Sequence, residues 1–272
     1  MIDIETIREN AVKFKMHGSI EKAICEYKKI LREDPSDVDT VYNLGELYYT
    51  RGDIGESIWF YEKAVEMEPK YSLALYRLGI SCFRATKFSK AIEYFDRIIT
   101  DAPDLYMAYY WKGLCYYHRG NTKMAIKSFK ALHKVNTETT LGYYQMSISY
   151  KAAGRFKEAV KCLEKITTED PNVVSVQYHL GLAYLGLKKI TKAMKCFEKV
   201  IELNTEHKGA KDKMDLLLTD QEMLYGYGIA SQKEDHTKEE IITNFHVGQT
   251  YKGMGMIEEA FKHFKDQVIK KK

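Results

Sequence analysis

Five tyrosines, Tyr42, Tyr76, Tyr110, Tyr144 and Tyr178, recur at a constant spacing of 34 residues. A fixed period of about 20–50 residues marks a chain built by stacking copies of one supersecondary unit, since each copy has an apolar face that only a neighbouring copy can cover. Every other residue then acquires a phase. All four prolines, Pro35, Pro69, Pro103 and Pro171, fall in one phase, with Thr137 and Thr205 where proline is absent. Proline disfavours helix in the residue before it but suits the first turn of a following helix, so here it separates helical units.

The first unit shows what is being repeated. Ile7, Ala11 and Phe14 lie at i, i+4, i+7, one face of a helix, and Gly18 offers the left-handed backbone that closes a helix C-terminus. A second helix carries Ile20, Ala23, Ile24, Tyr27, Ile30 and Leu31 on its apolar face and stops at Asp34-Pro35. The unit is a helical hairpin. Small residues share a phase on the first helices (Ala11, Gly45, Gly79, Gly113, Ser147, Gly181, Gly248) and another on the second (Ala23, Ser57, Ala91, Ala125, Ala159, Ala193, Ala260). Bulky residues in phase face them, Tyr27, Tyr61, Phe95, Phe129, Leu163, Phe197 and Phe264 among them. A larger side chain at the small positions would force the helices apart at a cost of about 1–3 kcal/mol.

These residues resemble the tetratricopeptide repeat family, whose unit carries W-x-x-L-G-x-x-Y in its first helix, A-x-x-x-F in its second and a proline near its end. The second unit reads Tyr42-Asn43-Leu44-Gly45, then Tyr48, Gly52, Ser57, Tyr61, Ala64 and Pro69. The resemblance covers residues 1–207 as six contiguous units (4–37, 38–71, 72–105, 106–139, 140–173 and 174–207). A capping helix with a degenerate, irregular unit follows over 208–240, and a further helix pair over 241–272. It implies an all-α solenoid, a right-handed superhelix of antiparallel helix pairs with about seven to eight repeats. Within 208–240, Ala210, Met214, Leu217 and Leu218 keep a first-helix pattern, Gly226 and Gly228 weaken any second helix, and Thr237 with Glu240 is a capping box that restarts one.

The sequence argues against several function classes. The 42 basic and 38 acidic side chains leave a net charge of +4, too small to point to nucleic acid or an anionic membrane. No window reaches 18 uninterrupted apolar residues, and MIDIETIREN is acidic where a signal peptide would be basic, so a cytoplasmic location without membrane insertion is expected. Phosphate-loop, dinucleotide, metalloprotease and serine-hydrolase motifs are absent. The eight histidines never pair at i, i+4 or join cysteines at metal-ligand spacing. Catalysis, cofactor and metal are therefore not expected. Cys25, Cys82, Cys115, Cys162 and Cys196 lie in apolar helical patterns and read as small buried hydrophobes. Lys112, where the family pattern has leucine, reads as an aliphatic stem under an exposed ammonium.

In this family the first helices line a concave groove. Carried over residue by residue, the resemblance puts Tyr42, Tyr49, Leu73, Tyr76, Arg77, Ile80, Phe83, Arg84, Met107, Tyr110, Leu114, Tyr117, His118, Tyr144, Ile148, Lys151 and Tyr178 there. Its middle is apolar and aromatic, as expected of a surface that receives a peptide or helix of a partner protein through apolar anchors. The phase-five tyrosines also serve neighbour packing in the family, so scaffolding is the competing account of them. Co-chaperones of the family hold a C-terminal carboxylate with lysine and asparagine at positions that here read Arg8, Val12, Asn43, Leu73 and Arg77, which puts that clamp in doubt. The expected function is a non-catalytic interaction scaffold or adaptor. Two alternatives stand beside it: self-association head to tail as a structural protein, and a regulatory subunit or fragment of a larger enzyme or chaperone complex.

Overall fold

The computed structural model describes residues 3–219, and these hold thirteen α-helices and no strand. The expectations placed on 220–240 and 241–272, the capping box included, lie outside the described residues. One compact unit runs to Gly120 and a second begins at Asn121.

The first unit contains α1 (Ile4–Met16), α2 (Ile20–Glu33), α3 (Val38–Arg51), α4 (Ile54–Met67), α5 (Ser72–Arg84), α6 (Phe88–Asp101) and α7 (Tyr106–His118). Each helix packs on its chain neighbour, and α3 touches α5 as α5 touches α7. The unit thus has two layers. In one, the odd-numbered helices are laced by side chains such as Arg8 to Asp37 and Lys15 to Glu46. In the other, the even-numbered helices are joined by the Tyr94 hydroxyl donating to Glu62. The second unit contains α8 (Thr122–Val135), α9 (Leu141–Ala152), α10 (Phe156–Glu169), α11 (Val174–Gly186), α12 (Ile190–Leu203) and α13 (Lys208–Thr219), again packed in chain order, with α9 touching α11.

The small-against-large pattern decides how close the helices come. A Cβ at Gly45 would lie 2.7 Å from the Tyr61 ring, one at Gly79 2.7 Å from Phe95, and one at Gly181 2.6 Å from Phe197. Those three rings are fully buried. The turn after each first helix is left-handed in the same phase: Gly18, Gly52, Gly120 and Gly154 have φ between 69° and 97°. At the two remaining phases Thr86 and Lys188 take φ of 57°, a conformation that costs a side-chain-bearing residue about 1–2 kcal/mol.

One expectation is corrected by the packing: Cys82, Cys115, Cys162 and Cys196 are buried, whereas Cys25 faces solvent on α2. The Lys112 ammonium gains a partner, the half-exposed Asp96 of α6.

Candidate partner-binding face of the first helices

On the face shared by α1, α3 and α5, the ordering element is a carboxylate. Glu46 of α3 accepts from Lys15 Nζ at 2.6 Å, from Arg77 Nη2 at 3.1 Å and from the Tyr42 hydroxyl at 3.1 Å, while Lys15 also donates to Asn43 Oδ1 at 3.2 Å. Burial works to raise the pKa of Glu46, but the positive charges of Lys15 and Arg77 outweigh it and hold the carboxyl below its ordinary range. Burial likewise opposes the charge on Arg77, and the ionised Glu46 carboxylate beside it overcomes that, so the guanidinium stays charged. Nearer the helix N-termini, Asp37 caps α3 by accepting from the Thr40 amide at 3.1 Å and also takes Arg8 Nη2 at 2.5 Å.

Beyond this network lies an aromatic group. Tyr49, Phe83 and Tyr117 occupy one phase, 34 residues apart, on α3, α5 and α7, and all three are half-buried. The Arg84 guanidinium lies 4.6 Å from the centre of the Tyr49 ring, with Arg77 at 5.7 Å. Phe83 meets Phe88, Trp111 and His118 edge-on at 5.5, 5.4 and 5.2 Å, and Tyr117 meets His118 at 5.6 Å. Burial lowers the pKa of His118 and favours its neutral ring. Beneath them, Trp111 Nε1 donates to the Tyr76 hydroxyl at 2.8 Å. In the second unit, Lys151 Nζ lies 3.3 Å from His179 Nδ1, and Tyr178 lies 4.8 Å from the His207 ring.

The structure divides the seventeen sequence-derived residues into two groups. Tyr42, Tyr76, Arg77, Ile80, Met107, Tyr110, Leu114 and Ile148 are buried. They form the layer under the surface, and their side chains face protein in this structure. Tyr49, Leu73, Phe83, Tyr117, His118, Tyr144, Lys151 and Tyr178 are half-buried, and Arg84 is exposed. The contacts bring together Tyr49 with Arg84, and Phe83 with His118 and Tyr117; Leu73 joins neither group through any ring contact or hydrogen bond. What sequence reasoning missed is the internal role of Glu46 and Lys15. A signal was present: Lys15 to Glu46 and Glu46 to Arg77 are opposite charges each 31 residues apart, one repeat less about one helical turn.

Nucleophilic chemistry finds little support among these side chains. Burial pushes the Cys82, Cys162 and Cys196 thiols up to about 11 and Cys115 to about 12, so they stay protonated and poorly reactive at neutral pH. No group of histidine, cysteine or acidic residues suited to a metal occurs among the described residues, and no helix of these residues is long and apolar enough to cross a membrane.

Profiles described as tetratricopeptide repeat match residues 38–71, 60–106 and 174–207, and one described as subunit 3 of the anaphase-promoting complex (cyclosome) matches residues 86–166. No curated protein sequence matches the chain. Among solved structures, the chain is similar to YrrB, a repeat protein of this kind with an unusual peptide-binding site, at a TM-score of 0.58 and 20% identity over 70% of this chain and 98% of that one. It is similar to a tetratricopeptide repeat protein of Parabacteroides merdae at a TM-score of 0.63 and 17% identity, covering 79% of this chain and 99% of that one. A chain of the APC/C hetero-tetramer Cut9–Hcn1 matches at a TM-score of 0.56 and 16% identity over 79% of this chain but 43% of its own length. At these identities the likeness is one of fold.

Proposed function

Because this chain belongs to the tetratricopeptide repeat family, we propose that it is a non-catalytic scaffold that binds a segment of a partner protein on the face its first helices share. The observation that carries this reading is the row of Tyr49, Phe83 and Tyr117. These aromatics stay half-buried although the framework of the repeat, satisfied by Gly45 on Tyr61 and Gly79 on Phe95, does not need them. Large side chains left partly in water are costly unless something covers them, and tyrosine combines contact area with a polar tip that tolerates both states. Solenoids use such surfaces for extended partners. YrrB, of similar fold, has a peptide-binding site, which supports the same class of ligand here. The accessible residues, rather than the buried layer of Tyr42, Tyr76 and Tyr110, are the anchors of this reading.

The test is a photocrosslinker, p-benzoylphenylalanine, placed at Phe83 of the full chain in native extract and compared with the same group at Trp59. Trp59 lies on α4, in the other layer, and is 54% exposed, which makes it a control for unspecific capture. Adducts to another protein from position 83 and not from 59 are expected. Adducts only to further copies of the chain would replace the adaptor by the self-associating alternative, and equal yields from both positions would remove the case for this face.

A further inference from the structure

Arg77 and Arg84 are seven residues apart on α5 and share a face, yet the structure uses them differently. Arg77 is 8% exposed and spent on Glu46. Arg84 is exposed, and no carboxylate pairs with it among the described residues; its contact is the Tyr49 ring. Tyr49 therefore has two guanidiniums near its ring, one committed internally and one on an exposed side chain. Contact with the ring restrains the guanidinium, which lowers the entropy cost of using it on a carboxylate.

Resting on the reading above, we infer that this end of the face takes an acidic segment: a partner aspartate or glutamate on Arg84, next to a large apolar side chain laid against Phe83. The acids already on this side of the unit stand elsewhere. Asp37 is bound by Arg8, Asp39 accepts from the Tyr71 hydroxyl, and both are at the N-terminal end of α3, while Glu46 is shared by Lys15 and Arg77. Arg84 ends α5, where the negative pole of the helix weakly opposes an incoming carboxylate. A charge-assisted hydrogen bond to the guanidinium is stronger than that repulsion, so the arginine prevails. This differs from the carboxylate clamp of the co-chaperones, because the two arginines at clamp positions, Arg8 and Arg77, already hold the internal carboxylates of Asp37 and Glu46.

The experiment is to pan a display library of random 12-residue peptides on the full chain and on the Arg84→Gln and Arg84→Lys variants, with far-ultraviolet circular dichroism to show that each is folded. The wild type should enrich peptides in which Asp or Glu adjoins Phe, Leu or Trp. Arg84→Gln should keep the apolar preference, lose the acidic one and bind the selected peptides about ten- to hundredfold more weakly, with Arg84→Lys in between. An apolar consensus with no acidic component, unchanged in Arg84→Gln, would overturn the charge preference and leave the groove intact. Failure to enrich any consensus would overturn the groove itself. A labelled 12-residue oligouridine that bound wild type and not Arg84→Gln would also overturn the inference, since the arginine would then serve phosphate.

Discussion

Glu46 shows how a single carboxylate can organise a helical face. It sits among two cations and a tyrosine hydroxyl, with only 16% of its side chain accessible. Replacing it by glutamine leaves Lys15 and Arg77 close together without their counter-charge. Removing one partner of a fully buried pair costs about 3–5 kcal/mol, but Lys15 keeps 35% of its side chain accessible, so a loss of about 2–3 kcal/mol is expected for Glu46→Gln. It would be read as a lower urea midpoint at unchanged slope. The pH dependence has a definite sign. Since the folded pKa of Glu46 is depressed, its contribution is full above the unfolded value of about 4.3 and is lost as pH falls through the folded value. The gap between wild type and variant should be present at pH 7 and shrink at pH 3; a gap of constant size would show that the carboxylate charge is not what matters.

At the level of the helix pair, close approach and turn geometry carry the specificity. Alanine is a better helix former than glycine by about 1 kcal/mol, yet Gly79→Ala should destabilise by about 1–2 kcal/mol net because its Cβ would meet the Phe95 ring, which is fully buried and cannot retreat. Gly55→Ala, on α4 with nothing within 4 Å of its added Cβ, should stabilise instead. The left-handed turns give the converse case. At Thr86 glycine would remove about 1–2 kcal/mol of backbone strain and add roughly 0.5–1 kcal/mol of unfolded-state entropy, so Thr86→Gly should raise stability by up to about 1 kcal/mol. Thermal melts of the three variants would check all three signs together. The phase of Gly18 made the left-handed turn readable in sequence; that Thr86 and Lys188 follow it was not, because their own propensities oppose it and the packing of the flanking helices overrides them.

For the molecule as a whole, stability in a repeat chain is close to a sum over units and their immediate neighbours, so damage should stay local. Phe197 is fully buried against Gly181 in the second unit. Phe197→Ala should cost about 3–5 kcal/mol there and lower hydrogen-exchange protection in α11 and α12, while amides of α3 to α6 keep theirs. Uniform loss of protection along the chain would mean that it opens as one cooperative body. The repeat phase alone determined the all-α class, the alternation of helices, the small-against-large pairs and which residues belong to the first helices, because a period and a helical face are properties of the chain's order. Tertiary structure decided which of those residues remain accessible. Tyr76 and Tyr49 both belong to first helices, but the depth of each depends on how far neighbouring repeats close over it. Likewise Arg77 and Arg84 share one face of one helix, and only the position of Glu46 on the adjacent helix holds the first in a buried ion pair while the second, beside the Tyr49 ring, stays exposed.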